Sequence, residues 1–153
     1  MAAPVVSVTR GLRTLPDLRI ERVTSAEELA LWMDLWTEMR SEPRAPREEL
    51  YLALGLNRFE PLRHYLASLS GRPVGVSQLF LGQRGAGVHN VAVREQYQGL
   101  GLGTALVQHP LLEARTLGYD LAVLAPTPTQ VAPFEAIGFE IVPAAAIDYQ
   151  LWP

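Results

Sequence analysis

The chain has 153 residues, no Cys, 13 basic against 16 acidic residues and 48% hydrophobic residues, the balance of one globular domain. A domain of this length buries roughly 70% of its extended surface, so it needs no disulfide or metal for stability. Without cysteine it has no thiolate nucleophile, no Cys-ligated zinc and no iron–sulfur cluster. A net charge of −3 has the wrong sign for affinity built on phosphate neutralisation, which argues against nucleic acid as a main ligand.

Residues 1–17 lack a lasting period and read as an N-terminal arm, extended or frayed, ahead of a domain over 18–153. Arg10 and Arg13 follow the first apolar residues with no long apolar run after them, unlike a signal peptide. No apolar stretch approaches the ~20 residues of a membrane helix, so a cytoplasmic protein with no membrane partner is expected.

Leu18 to Val23 alternates apolar and charged, the pattern of a strand with one buried face. Ser25 with Glu28 three residues on forms a capping-box sequence, and Leu29, Trp32, Met33 and Trp36 follow at helical spacing, predicting a helix over about 25–39. Pro46 suits the first turn of a second helix carrying Leu50, Tyr51 and Leu54, ended by Gly55 or Asn57. Strands follow at Tyr65 to Leu69, Val74 to Leu81 and Val88 to Val93, separated by turn residues, which makes an antiparallel meander. A helix over 101–117 is interrupted by Pro110, which removes one backbone hydrogen bond and bends the helix near Leu106. Asp120 to Ala125 reads as a buried strand, Gln130 to Ile137 as a short helix ended by Gly138, and Phe139 to Val142 and Ile147 to Trp152 as further strands. Short connections and the absence of repeats give one α+β domain.

The most informative stretch runs from Val91 to Leu106, where a strand passes through Arg94-Glu95-Gln96-Tyr97 into the glycine-spaced run Gln98-Gly99-Leu100-Gly101-Leu102-Gly103-Thr104. Alternate glycines let successive backbone N–H groups face one point, and a helix N-terminus adds about half a positive charge there, an arrangement that suits a pyrophosphate. A Walker loop is excluded because no Lys follows, and the dinucleotide pattern fails at Thr104. A tight strand-to-helix turn would also use glycine, but three at alternate positions exceed that need.

This stretch resembles the acyl-CoA pyrophosphate loop of the GNAT N-acetyltransferase superfamily, whose pattern Gln/Arg-x-x-Gly-x-Gly/Ala is matched by residues 98–103. Phe134-Glu135-Ala136-Ile137-Gly138-Phe139 is similar to the family's second signature, and the resemblance extends over roughly Leu18 to Trp152. It implies a mixed, mostly antiparallel sheet of about six to seven strands, flanked by helices and splayed in the middle to form an acyl-CoA cleft. The implied reaction is direct transfer from acetyl-CoA to the primary amine of a small molecule or peptide, with no metal. By the same resemblance the backbone of Gln98, Gly99, Leu100, Gly101, Leu102, Gly103 and Thr104 holds the pyrophosphate. Val91, Ala92 and Val93 pair with the pantetheine arm. The first two helices contribute Trp32, Trp36, Arg40, Arg44 and Tyr51 to the acceptor pocket.

Two departures bear on the chemistry. Phe134 stands four residues before Gly138, where many relatives carry a Tyr, so it has no hydroxyl with which to protonate the leaving thiolate; Tyr97 and Tyr149 are the alternatives. A non-catalytic acyl-CoA-binding module with the same fold is therefore the competing reading, and a longer acyl chain would need room beside Phe134 and Val123. His89 stands four residues before Val93, where a number of relatives carry a Glu, and is the candidate general base; a hydrogen-bonded sheet histidine is the structural alternative. Strict alternation would place His89 on one face with Val91 and Val93. His64 and His109 lack a third ligand at metal spacing. Trp32, Met33 and Trp36 are read as core, with one edge on the acceptor site, and Arg40, Arg44 and Arg47 as a solvated run that can also recognise a carboxylate through paired hydrogen bonds. Exposed edge strands near the termini can pair in a homodimer.

Overall fold

A mixed sheet of six strands carries the fold in a computed structural model, which describes residues 1–12, 14–41 and 43–143. The elements are β1 (Ala2–Pro4), α1 (Val5–Val8), β2 (Leu18–Arg22), α2 (Ala26–Arg40), α3 (Ala45–Leu54), β3 (Leu62–Leu69), β4 (Arg72–Leu81), β5 (Ala86–Val93), α4 (Leu102–Thr116), β6 (Leu121–Leu124) and α5 (Val131–Glu135). Single 3₁₀ turns lie at Glu95–Tyr97 and Pro128–Gln130. The strand order is β1-β6-β5-β4-β3-β2, antiparallel throughout except between β5 and β6, so the domain is α+β.

Two apolar clusters occupy the two faces of the sheet. On one face α1 and α4 bury Val5, Val8, Leu102, Leu106 and Leu111 against Leu79, Val88 and Val91, together with Phe134 and Phe139. On the other, α2 and α3 bury Leu29, Trp32, Met33, Trp36 and Tyr51 against Val76 and Ala92. The expected capping box opens α2: the Ser25 hydroxyl accepts from the Glu28 N–H, and the Glu28 carboxylate accepts from the Ser25 N–H. The indole N–H of Trp32 donates to the carbonyls of Tyr65 and Ser77 at 3.1 and 3.2 Å, anchoring α2 to β3 and β4.

Pro110 lies inside α4 as expected, and its missing N–H leaves the Leu106 carbonyl without its usual partner. The buried Ser77 hydroxyl of β4 donates to that carbonyl at 2.8 Å, so the sheet satisfies the group that the proline abandons.

Two expectations change. Residues 2–8 are not an arm: β1 pairs antiparallel with β6 in register Ala2↔Val123, and Ala3, Val5 and Val8 are buried. The run is too short to show a period, yet its backbone completes the open edge of β6. In place of a strand at Phe139 to Val142 there is one bridge between Ala2 and Glu140. The strand expected at Ile147 to Trp152, with Tyr149, lies outside the described residues. No described helix is long and apolar enough to cross a membrane.

Candidate active site

The sheet opens between β5 and β6. Ala86, Gly87 and Val88 pair with Ala122, Val123 and Leu124, where β6 ends, while β5 continues to Val93 held by β4 alone. The β4–β5 ladder then steps from Gln78↔His89 to Val76↔Ala92, so Asn90 and Val91 together face Ser77. This is a β-bulge, and Asn90 takes the left-handed φ of 52° that Asn tolerates better than other side chains. The bulge resets the alternation. Val91 packs with Val88 in the α4-side cluster and Ala92 in the α2-side cluster. His89 shares the face of Gly87, where a Cβ would lie 2.6 Å from the imidazole Nε2. His89 therefore does not share a face with Val91 and Val93, correcting the alternation expected from sequence.

At the end of β5 the chain turns through Glu95–Tyr97 into α4. Gln98 Nε2 donates to the Val93 carbonyl at 3.1 Å, and Arg94 pairs with Glu38 of α2 at 2.8 Å, fixing the loop at both sides. Gly99 and Gly101 have φ of 81° and 83°, a left-handed backbone in which glycine alone is unstrained. Gly101 caps α4, so the N–H groups of Leu102, Gly103 and Thr104 have no partner within the helix. A Cβ on Gly99 or Gly103 would meet no protein atom within 4 Å, which leaves room for a bulky anion against the backbone. These residues, except the exposed Leu100, line a cavity of about 430 Å³ with Val91, Ala92, Val93, Tyr97 and Phe134.

Val91, Gln130 and Phe134 also line a second cavity, of about 420 Å³, on the side of α2 and α3. Its other walls include Trp36, Arg40, Arg47, His89, Asn90, Leu124 and Thr127. Arg40 and Arg47 lie over the Trp36 ring at 5.0 and 5.7 Å, and Arg40 donates to the Val91 carbonyl at 3.4 Å. Burial holds the His89 imidazole below its ordinary 6.5, so it is neutral and able to accept a proton at neutral pH. No group of described residues has the makings of a metal site.

A glycine-capped helix beside an open strand edge, with a second cavity adjoining, is the arrangement that the sequence resemblance implies. The sequence from residue 29 to 139 matches the model of the acetyltransferase (GNAT) family. The chain belongs to the GNAT acetyltransferase family. No curated protein sequence matches it significantly. Among solved structures, a GCN5-related N-acetyltransferase from Kribbella flavida aligns with a TM-score of 0.60 at 17% identity, over 82% of this chain and 46% of that one, so this chain spans less than half of that protein. An aminoglycoside acetyltransferase from an uncultured soil metagenomic sample gives 0.68 at 17% identity, over 83% and 93% of the two chains. A predicted acetyltransferase from Clostridium acetobutylicum, solved with acetyl-CoA, gives 0.68 at 11% identity, over 83% and 92%. At such identities the likeness is one of fold.

Within this GNAT domain the acceptor-side expectations separate. Trp36 and Arg40 line the second cavity, whereas Trp32 and Tyr51 are buried in the α2-side core. Arg44 is engaged at the surface by Asp34 and Glu48. Phe134 is 3% exposed and packs on Phe139 at 6.2 Å between rings while bordering both cavities, and Val123 is buried and borders neither. Asn90, Thr127, Thr129 and Gln130 also border the cavities. Sequence reasoning passed over them, although Thr127-Pro128-Thr129-Gln130 is a capping box in which Gln130 accepts from the Thr127 N–H at 3.0 Å.

Proposed function

We propose that this chain transfers the acetyl group of acetyl-CoA to a primary amine by direct attack within a ternary complex. The carrying observation is that two cavities share Val91, Gln130 and Phe134 as lining, one floored by helix-terminal amides and the other bordered by a neutral imidazole. The GNAT family uses acetyl-CoA, which supplies an activated acyl group and a thiolate leaving group when bound. The amides of Gly99 to Thr104 meet the pyrophosphate with the positive end of the α4 dipole. The edge of β5 beyond Val88, unpaired with β6, offers backbone groups to the amides of the pantetheine arm. The bulge at Asn90–Val91 releases backbone from the β4 ladder beside the cleft, where an N–H can polarise the thioester carbonyl. His89 takes the proton of the attacking amine, directly or through water.

Phe134 supports a second reading, a module that binds acyl-CoA without turnover, because it offers no proton to the thiolate. Tyr97, a hydroxyl-bearing side chain in the first cavity, is the alternative donor. Thermal unfolding with acetyl-CoA, CoA and ATP titrated separately tests the site, since a ligand at 100 times its Kd adds about 2.7 kcal/mol. Stabilisation by both CoA forms, absent with ATP and abolished in Gly101→Glu, supports it; no stabilisation by either CoA form overturns it. Thiol release with an amine panel then separates the enzyme from the binding module, which gives none.

A further inference from the structure

His89 and Asn90 border a third cavity as well as the second. It measures about 520 Å³ and is walled by Leu54, the last residue of α3, by Pro61, and by the paired Leu62 and Phe80 of β3 and β4. The His89 imidazole leans along the strands toward this chamber. Its Nε2 occupies the space that a side chain at Gly87 would take, and Gly87 stands directly opposite Phe80. The other polar residues of the wall, Gln78 and Asn90, are bonded to each other through their side-chain amides.

Glu60 gives the chamber its charge. Among the described residues lining the three cavities it is the one carboxylate. Asn57 Nδ2 donates to its Oε1 at 3.0 Å, and a Cβ on Gly55, whose φ is 91°, would lie 3.2 Å from the same oxygen, so a turn without a side chain makes room for this carboxylate. No cation pairs with Glu60 among the described residues. Glu60 precedes Pro61, whose carbonyl accepts from the N–H of Leu81, whereas His89 pairs with Gln78, earlier on the same strand. The acid and the base therefore stand toward opposite ends of the chamber, their backbones roughly 10 Å apart along the strands, with Leu54, Pro61 and Leu62 on its wall.

An anion at one end, a proton acceptor at the other and an apolar wall match a molecule with a cation, a hydrocarbon spacer and a reacting amine. We propose that the acceptor is an aliphatic diamine, with one amine at His89, the spacer against Leu54, Pro61 and Leu62, and the second amine held as an ammonium by Glu60. This rests on the acetyl-transfer reading above and specifies its substrate. In the transfer the nitrogen at His89 forms a bond to the acetyl carbon as the carbon–sulfur bond breaks, His89 takes the amine proton, and the sulfur leaves as a thiolate that is protonated by water. The distal ammonium keeps its proton throughout and serves only to hold and orient the substrate through charge-assisted hydrogen bonds.

The test compares putrescine, cadaverine and hexamethylenediamine with butylamine, pentylamine and hexylamine, which lack only the second amine. Thiol release is followed with acetyl-CoA, and the CoA complex is titrated calorimetrically with the same amines. Pairing with a carboxylate predicts a preference for the diamines of about tenfold or more in kcat/KM or in Kd, beyond the statistical factor of two equivalent amines. Glu60→Gln, which keeps the acceptor for Asn57, should erase that preference chiefly through KM, and Glu60→Asp should restore part of it. Equal or better use of the monoamines, or a diamine preference that survives Glu60→Gln, overturns the assignment while leaving acetyl transfer standing. If no amine releases thiol, the calorimetric ratio still decides the site: diamine binding that depends on Glu60 supports the chamber in a non-catalytic protein, and equal binding of the two series overturns it.

Discussion

A neutral imidazole bordering the second cavity, which shares Val91, Gln130 and Phe134 with the cavity at the α4 N-terminus, can take a proton from an ammonium group and leave a lone pair on nitrogen. His89→Ala should lower turnover about 10²-fold with acetyl-CoA affinity little changed. The pH dependence sharpens this. Burial lowers the His89 pKa, so the imidazole stays in its accepting form at and above pH 6.5 and loses it only at more acidic pH. The wild-type to His89→Ala ratio of kcat/KM cancels the amine's own ionisation; it should be flat above pH 6.5 and fall below it. A ratio independent of pH would leave deprotonation to solvent. The residue type at 89 was legible in the sequence, but its direction was not, because alternation holds only along an unbroken ladder. The bulge opposite Ser77 resets the period, and its one local sign was an Asn where a left-handed φ was needed.

Elements show the same division between what a local pattern records and what a distant partner supplies. The capping box of α2, the proline-opened α3 and the glycine-capped α4 follow from short-range rules, and each forms within a residue or two of its expected limits. Pro110 was equally legible as a break in α4, but its remedy was not, since Ser77 lies 29 residues from Leu106 in sequence. Ser77→Ala should cost about 1–3 kcal/mol, the penalty for stranding the buried Leu106 carbonyl. In a Pro110→Ala background the new amide can donate to that carbonyl, so the same substitution should cost less. Urea midpoints of the four proteins measure the coupling, and strictly additive effects would mean that Ser77 serves α4 in no such way. The same residue stands opposite the bulge, so the strand that shapes the cleft also supports the helix whose N-terminus borders the first cavity.

For the whole molecule, the decisive contacts are those that no local period announces. β1 is three residues long and gains its place from the open edge of β6, while Val5 and Val8 close the core over α4. His64 presents a comparable case: it reads as the start of a strand, and in the fold it is 1% exposed, set edge-on against Trp32 at 5.1 Å and Tyr51 at 4.5 Å. Neither ring nitrogen has a hydrogen-bond partner among the described residues, and burial lowers its pKa from 6.5 to about 4. The folded protein therefore keeps His64 neutral over a range in which the unfolded chain binds a proton. The resulting stabilisation is complete above pH 6.5, is lost as pH falls toward 4, and amounts to about 3 kcal/mol across that window. Chemical denaturation between pH 7 and pH 4 should show stability declining through this interval in the wild type. His64→Leu, an apolar replacement for a side chain already held uncharged, should flatten the decline, leaving the part due to His89 and the carboxylates. An unchanged slope in His64→Leu would mean that His64 is solvated or partnered in solution, and that the acid sensitivity of the fold arises elsewhere.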